Sequence, residues 1–444
     1  MPISSTRLIG RFGICLLLLA LAAGCGNGQR EGSSASPPSS ASAQPPAETV
    51  EPSGTDGASP SDGGGRPESS VPDSSGVTED DDVNRILGTM TLEQKVGQML
   101  LAGIDGKTLD DGMTGLIAEQ HVGGIIWYKN NFSDLKGSVD LANGLKQANA
   151  GNPVPLFMSV DQEGGKVSRL PDDFAAMPDA ARVGSTGDPE LAKEMGALLS
   201  EQLKLVGFNV DFAPVLDVNS NPNNPVIGSR AFGSDAERVS KMGVAVMQGL
   251  QQGGTVPVVK HFPGHGDTAV DSHVDLPVVD KTTDQLRKME WLPFRDAIDS
   301  GADAVMVAHI LFPKIDPEAP ASFSKIIIGE QLRGTLGFEG VVITDDMTMG
   351  AIADHYGIED ASLLSVEAGT DILLVAHGYG TAKKVYDRLL DAVRSGRLPE
   401  SRIDESVRRI LSLKLKYGLS DRPIDVPAPK DLPNAEIRQW LDKL

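Results

Sequence analysis

Thr255-Val-Pro-Val-Val-Lys260-His261-Phe-Pro-Gly-His265-Gly-Asp267-Thr-Ala-Val-Asp271-Ser-His273 joins two textures in one short stretch. The apolar run Thr255–Val259 has the length and β-branching of a buried strand. It runs straight into a polar loop containing Gly264 and Gly266. The chain has 7 histidines, and three of them fall between Lys260 and His273. Such a concentration of titratable groups at the end of a buried strand points to a functional loop rather than to one that merely satisfies itself.

Working outward, the same unit recurs. Short apolar runs at 98–104, 124–128, 155–160, 210–214, 256–261, 304–310, 340–344 and 371–376 read as strands. Amphipathic stretches lie between most of them, among them 189–206, 236–252, 283–300 and 358–368, followed by 382–395 and 402–417. Thr91 as N-cap with Gln94 at the third helical position predicts a capped helix start ahead of the first strand. Alternating strand and helix through residues 83–420 predicts a single (β/α)₈ barrel, with a doubly wound sheet as the alternative fold. A barrel places its chemistry at the C-terminal ends of its strands. The runs do end in polar groups: Asp161, Asp217, Lys260-His261, His309, Asp345-Asp346 and His377. Residues 421–444 are expected to form a tail, either packed on the barrel or loose.

The first residues have a different character. Arg7 and Arg11 precede an apolar stretch, 13–23, too short for a comfortable membrane span. It ends in Leu21-Ala-Ala-Gly-Cys25, which resembles a bacterial lipoprotein cleavage box. Residues 1–24 are therefore expected to be a signal peptide and Cys25 the lipidated first mature residue; an ordinary signal peptide with a chance cysteine is the alternative. The other cysteine, Cys15, lies in the segment to be removed, so no disulfide or thiolate metal site is expected. Residues 25–82 are rich in Ser, Pro, Gly and acids and lack the apolar surface needed to order themselves. About 55 residues of such a coil would span roughly 40 Å r.m.s., enough to hold a domain off a membrane. The expected location is extracytoplasmic, with membrane contact only through the Cys25 lipid. The formal net charge of −21 argues against nucleic acid as a partner.

The motifs present limit the chemistry. There is no Walker loop, no Gly-x-Gly-x-x-Gly after a strand and no Gly-x-Ser-x-Gly elbow. His261, His265 and His273 with Asp267 and Asp271 lack the spacing of a zinc site, so neither metal nor cofactor is expected. Carboxylates, cations and histidines on one barrel face suit a polyhydroxylated substrate. A carboxylate attacking an anomeric carbon beside a separate proton donor would give retaining glycoside hydrolysis. His273, two residues from Asp271, can serve as that donor if the carboxylate orients it. Asp345 and Asp346 both remain candidates for the attacking group on this reasoning.

Four motifs carry a family resemblance: Asp161-Gln-Glu-Gly-Gly-Lys-Val-Ser-Arg169, Gly228-Ser-Arg-Ala-Phe232, Lys260 to His273, and Ile343-Thr-Asp-Asp-Met347. The chain resembles the glycoside hydrolase family 3 β-N-acetylglucosaminidases over about residues 83–420. The third motif looks like the histidine-bearing loop that separates this branch from the family's β-glucosidases. The resemblance implies Asp345 as nucleophile, His273 as acid/base and Asp271 as its orienting partner. It implies Asp161, Arg169, Arg230, Lys260 and His261 as the residues that hold the non-reducing N-acetylglucosamine, and a structural role for Asp346. Some members carry a further C-terminal domain; the departure from that layout leaves the preferred aglycone size open.

The expected function is an exo-β-N-acetylglucosaminidase, a monomer acting on N-acetylglucosamine-terminated oligosaccharides or muropeptides. A phosphorylase using the same site is one alternative. A β-glucosidase and a non-catalytic sugar-binding lipoprotein are the others; the lipoprotein would be expected to show two α/β lobes.

Overall fold

The computed structural model describes residues 79–444. The expected signal peptide, Cys25 and the expected linker up to residue 78 lie outside the described residues. Eight strands follow in order: β1 Leu100–Gly103, β2 Gly124–Trp127, β3 Phe157–Val160, β4 Val210–Asp211, β5 Val256–Phe262, β6 Ala304–Val307, β7 Val341–Thr344 and β8 Leu373–Val375. Each pairs in parallel with its sequence neighbour, and β1 also pairs with β8. The ring closes between β7 and β8 through the single bridge Ile343–Ile372, where Thr344 N donates to Ile372 O at 3.0 Å. This is the (β/α)₈ barrel; a doubly wound sheet would leave two edges. Every strand residue is buried, because one face packs in the barrel and the other under helices.

Local signals explain much of the layout. Thr91 and Gln94 form the expected reciprocal cap on helix Leu92–Gln98, at 3.2 and 3.1 Å. That helix takes Gln98, so the first strand begins at Leu100 rather than at residue 98. Helix Pro189–Val206 starts with Asp188 as N-cap and Pro189 at its first position, and stops at Gly207, whose φ is +98°. The stretch 283–300, expected as one helix, is two: Thr283–Lys288 and Trp291–Asp299. Between them Glu290 is buried and pairs with Lys281 at 2.5 Å. The break falls at Met289, four residues before Pro293, which has no N–H to give to the Met289 carbonyl. A helix at Glu79–Thr89 also begins inside the segment expected to be linker, and Val83 and Leu87 from it are buried.

Two features fix the lower, N-terminal face of the barrel. Leu413 of helix Glu400–Lys416 lines the same small apolar space as Leu101, Phe157, Val256 and Ile343. Asp371, fully buried before β8, accepts bonds from Val342 N (2.9 Å), Arg333 Nη2 (2.6 Å), Arg409 Nη1 (3.0 Å) and Ser406 Oγ (2.7 Å). One carboxylate therefore joins the β7–β8 seam to helix 400–416 and to the π-helical segment Lys325–Thr335. Residues 421–444 are packed, not loose. Asp421 accepts from Asn149 and from Leu156 N, and in helix Asn434–Leu441 Trp440 is fully buried and donates to Leu191 O at 3.1 Å.

Candidate active site

The strand ends converge on one cavity of about 180 Å³ at the C-terminal face of the barrel. It is lined by seven of the eight residues proposed for chemistry or sugar binding: Asp161, Arg169, Arg230, Lys260, His261, His273 and Asp345. The eighth, Asp271, stands behind His273.

The floor is an ion cluster. Lys260, 2% exposed, reaches Asp161 at 2.5 Å and Glu163 at 2.7 Å. Arg230 grips Glu163 with two parallel bonds, Nε to Oε2 at 2.8 Å and Nη2 to Oε1 at 2.7 Å. Two cations thus meet two carboxylates, the condition for tolerating charge away from water. Burial opposes ionisation of Glu163, but Arg230 and Lys260 outweigh it and hold its carboxyl far below the usual range. Burial likewise pulls Lys260 down, and Asp161 with Glu163 more than offsets it, so the ammonium is raised. Glu163 lies inside the quoted Asp161–Arg169 motif, yet nothing local in that motif marks it as the joint between Lys260 and Arg230. Asp161 remains half-buried and lines the cavity, as does Arg169, whose buried Nε has no partner among the described residues. Arg169 is positioned by Gln162: the Gln162 side chain accepts from Arg169 N at 2.7 Å, and the Gln162 backbone N–H donates to buried Asp211 at 2.9 Å.

His261 is fixed from behind. Its Nδ1 lies 2.6 Å from Asp217 Oδ2, and because an ionised carboxylate only accepts, Nδ1 carries the proton. Nε2 is left facing the cavity, 3.5 Å from Arg230 Nη2. Asp217 is fully buried and accepts from His265 N at 2.6 Å. Burial opposes its ionisation, but His261 prevails and its carboxyl is lowered.

Asp345 and Asp346 differ in what occupies their oxygens. The Asp346 carboxylate, 6% exposed, accepts from Thr348 N (3.0 Å), Thr348 Oγ1 (2.6 Å) and Ala376 N (2.9 Å). Asp345 is half-buried and accepts one bond, from Asp346 N at 2.9 Å. Burial raises the Asp345 carboxyl, yet His261, His309 and that N–H bring it below its ordinary value. Asp345 is therefore the ionised carboxylate with an oxygen available to the cavity. His309 props the pair from below, donating through Nε2 to Asp346 O at 3.0 Å and accepting from Ser322 Oγ at 2.7 Å.

The segment 263–273 arches over the cavity. Asp271 Oδ1 accepts from both His273 N (2.9 Å) and His273 Nδ1 (2.7 Å). Burial weighs against ionisation of Asp271, but those two bonds lower its carboxyl. Committing Nδ1 to Asp271 leaves His273 Nε2 as the atom that can exchange a proton. Gly264 and Gly266 of this segment are closely packed. A Cβ on Gly266 would stand 1.8 Å from Val218 O, and Gly264, with φ +128°, backs onto Glu290. They allow close backbone approach. Beyond Ser272 the arm is tied to the loop after β7 by Ala351 N and Gly350 N and by the pair Asp275–His355 at 2.6 Å. Tyr128 and His377 form a tilted pair on the opposite wall, with ring centroids 5.3 Å apart.

The cavity thus combines an available carboxylate, a carboxylate-backed histidine and a floor of fixed charges. The glycosyl hydrolase family 3 N-terminal domain matches residues 91–413. The chain belongs to glycoside hydrolase family 3. Among relatives in the family, the β-hexosaminidase of Xylella fastidiosa is 37% identical over 285 residues, covering 63% of this chain and 83% of that protein. β-Hexosaminidase A of Pseudoalteromonas piscicida is 34% identical over 344 residues; the match covers 72% of this chain but only 57% of that longer relative. Among solved family 3 structures, a β-N-acetylglucosaminidase from Paenibacillus sp. str. FPU-7 superposes with a TM-score of 0.77 at 43% identity, over 80% of this chain and 68% of that one. These likenesses place the chain in the β-N-acetylhexosaminidase branch of the family.

Proposed function

We propose that the protein is a retaining exo-β-N-acetylglucosaminidase. The observation that carries this reading is the shared cavity: Asp345, with an oxygen available, and His273, backed by Asp271, line one space above the Lys260–Asp161–Glu163–Arg230 floor. Asp161, Arg169, Arg230, Lys260 and His261 hold the terminal N-acetylglucosamine, with His261 Nε2 facing the sugar. Asp345 attacks the anomeric carbon, and the C–O bond to the aglycone breaks as His273 Nε2 gives its proton to the departing oxygen. In the second half His273, now neutral, takes a proton from water as that water attacks the anomeric carbon and frees Asp345. Asp271 keeps the imidazole in one orientation through both halves. Asp346, its oxygens engaged, shapes the loop after β7.

The substrates in this reading are oligosaccharides and muropeptides ending in β-linked N-acetylglucosamine. The place of action is the outer face of a cell membrane, with the lipid on Cys25 and the linker as tether, and the enzyme works as a monomer. Cell-wall turnover is the process that supplies such ends.

The test is Asp345→Ala assayed on a chromogenic N-acetylglucosaminide. Loss on the order of 10⁶-fold in kcat is expected, the scale seen when a covalent catalyst is removed. With the wild-type enzyme and a 2-fluoro-sugar substrate, a labelled peptide containing Asp345 is expected by mass spectrometry. Full activity in the variant, or label on Asp346, sinks the assignment. Added phosphate is expected to leave the rate unchanged; a strong rise would make the enzyme a phosphorylase.

A further inference from the structure

Ser272 separates Asp271 from His273, and it is the buried member of the three. It is 1% exposed, whereas the side chains of Asp271 and His273 are 37% and 65% exposed. Its carbonyl accepts from Ala351 N at 3.1 Å. Its hydroxyl lies 3.1 Å from Nε2 of His265, a residue 1% exposed that the chemistry above does not use. His265 is itself held on every polar atom. Its N–H donates to Asp217 at 2.6 Å, its carbonyl accepts from Asn224 Nδ2 at 2.8 Å, and its Nδ1 lies 2.9 Å from Thr268 Oγ1.

Asn224 Nδ2 donates to Thr268 Oγ1 at 3.2 Å, and the Thr268 hydroxyl donates to the His265 carbonyl at 3.1 Å. Both ring nitrogens are thus matched by hydroxyls, Nδ1 by Thr268 and Nε2 by Ser272. Burial, with the neighbouring His261, pushes His265 down to about 4, which keeps the imidazole neutral through the ordinary pH range.

Resting on the glycosidase reading above, we propose that His265 is the positioning residue of the proton donor: through Ser272 it pins the exposed Asp271–His273 pair to the rigid barrel floor that holds the sugar. The same Asp217 that orients His261 in the sugar pocket also anchors His265. Sugar contact and proton donor are therefore referenced to one buried carboxylate. Misplacing a catalytic group by about 1 Å can cost about 10²-fold, so a pin of this kind has a measurable consequence.

The experiment uses the full chain and compares kcat/KM, which reports the first bond-breaking step, on two N-acetylglucosaminides. One has a methyl leaving group that needs a proton; the other has a dinitrophenyl group that departs without one. His265→Gln and Ser272→Ala are expected to lower kcat/KM about 10²-fold on the methyl glycoside and less than about threefold on the dinitrophenyl one. Inhibition by free N-acetylglucosamine should stay at the wild-type constant, and Ser272→Thr, which keeps the hydroxyl, should restore the methyl glycoside rate. Azide, attacking the glycosyl-Asp345 ester at the anomeric carbon and releasing the carboxylate without base help, should raise kcat of the Ala and Gln variants on the dinitrophenyl substrate. An equal loss on both leaving groups, or no loss on either, overturns the proposal. A wild-type enzyme that cleaves neither substrate overturns the glycosidase reading instead.

Discussion

Lys260 and His273 begin and end one short stretch of chain, yet stand in opposite surroundings. The Lys260 side chain is 2% exposed and bound to two carboxylates; that of His273 is 65% exposed and bound to one. The contrast follows from the tasks proposed for them. Holding a sugar calls for charges that do not move, and burial with several partners supplies that. Giving a proton to an aglycone and taking one from water calls for access, and an exposed arm supplies that. Geometry is fixed at the floor by ion pairs and at the arm by one serine and the loop after β7.

The largest expected effect tests the floor. Lys260→Met leaves Asp161 without its cation and Glu163 with one cation instead of two, and should cost about 4 kcal/mol of stability as well as activity. Urea unfolding measures it; an unfolding midpoint equal to wild type would mean the cluster does not hold the floor.

The second tests the joint between floor and arm. His265 is pushed down to about 4 in the folded protein, against about 6.5 when unfolded. Between those values the unfolded state binds the extra proton, so this residue's contribution to stability is lost as pH falls from about 6.5 to 4. The full shift corresponds to about 3 kcal/mol. The stability gap between wild type and His265→Gln should therefore narrow over that window in thermal unfolding; a gap independent of pH would contradict the buried neutral imidazole.

The smallest effects concern the arm itself. His273→Ala should lower kcat on unactivated glycosides by about 10²-fold and Asp271→Asn by less, both with stability within about 0.5 kcal/mol of wild type. If His273→Ala destabilised the protein as much as Lys260→Met, the division into fixed floor and accessible arm would fail.

The barrel and most of the pocket were legible because each rests on a local pattern. Strand ends carry the functional residues, so apolar runs ending in Lys260-His261 or Asp345-Asp346 located both fold and site. The exact bounds of helix Pro189–Val206 came from Asp188, Pro189 and Gly207 acting on their own neighbours. What could not be read depends on distant partners. Glu163 becomes the hub of the floor because Lys260 and Arg230, far along the chain, reach it. The packing of the tail depends on Leu191 receiving Trp440. The role of Gly264 and Gly266 is of the same kind, because a glycine in sequence does not distinguish freedom from crowding; Val218 and Glu290 supply the crowding.

The seam between β7 and β8 has a consequence for how the molecule is made. Asp345 directly follows the strand that closes the ring, and that closure consists of one bridge above Asp371, whose cations include Arg402, 3.8 Å away, and Arg409. Both arrive with helix Glu400–Lys416, after all the proposed catalytic and sugar-binding residues have been synthesised. A nascent chain ending before residue 400 would carry every one of those residues and Arg333, yet lack two of the three arginines around the Asp371 carboxylate. On this basis activity should emerge during synthesis only once that helix has cleared the ribosome or translocon, a point at which stalled chains of graded length can be assayed.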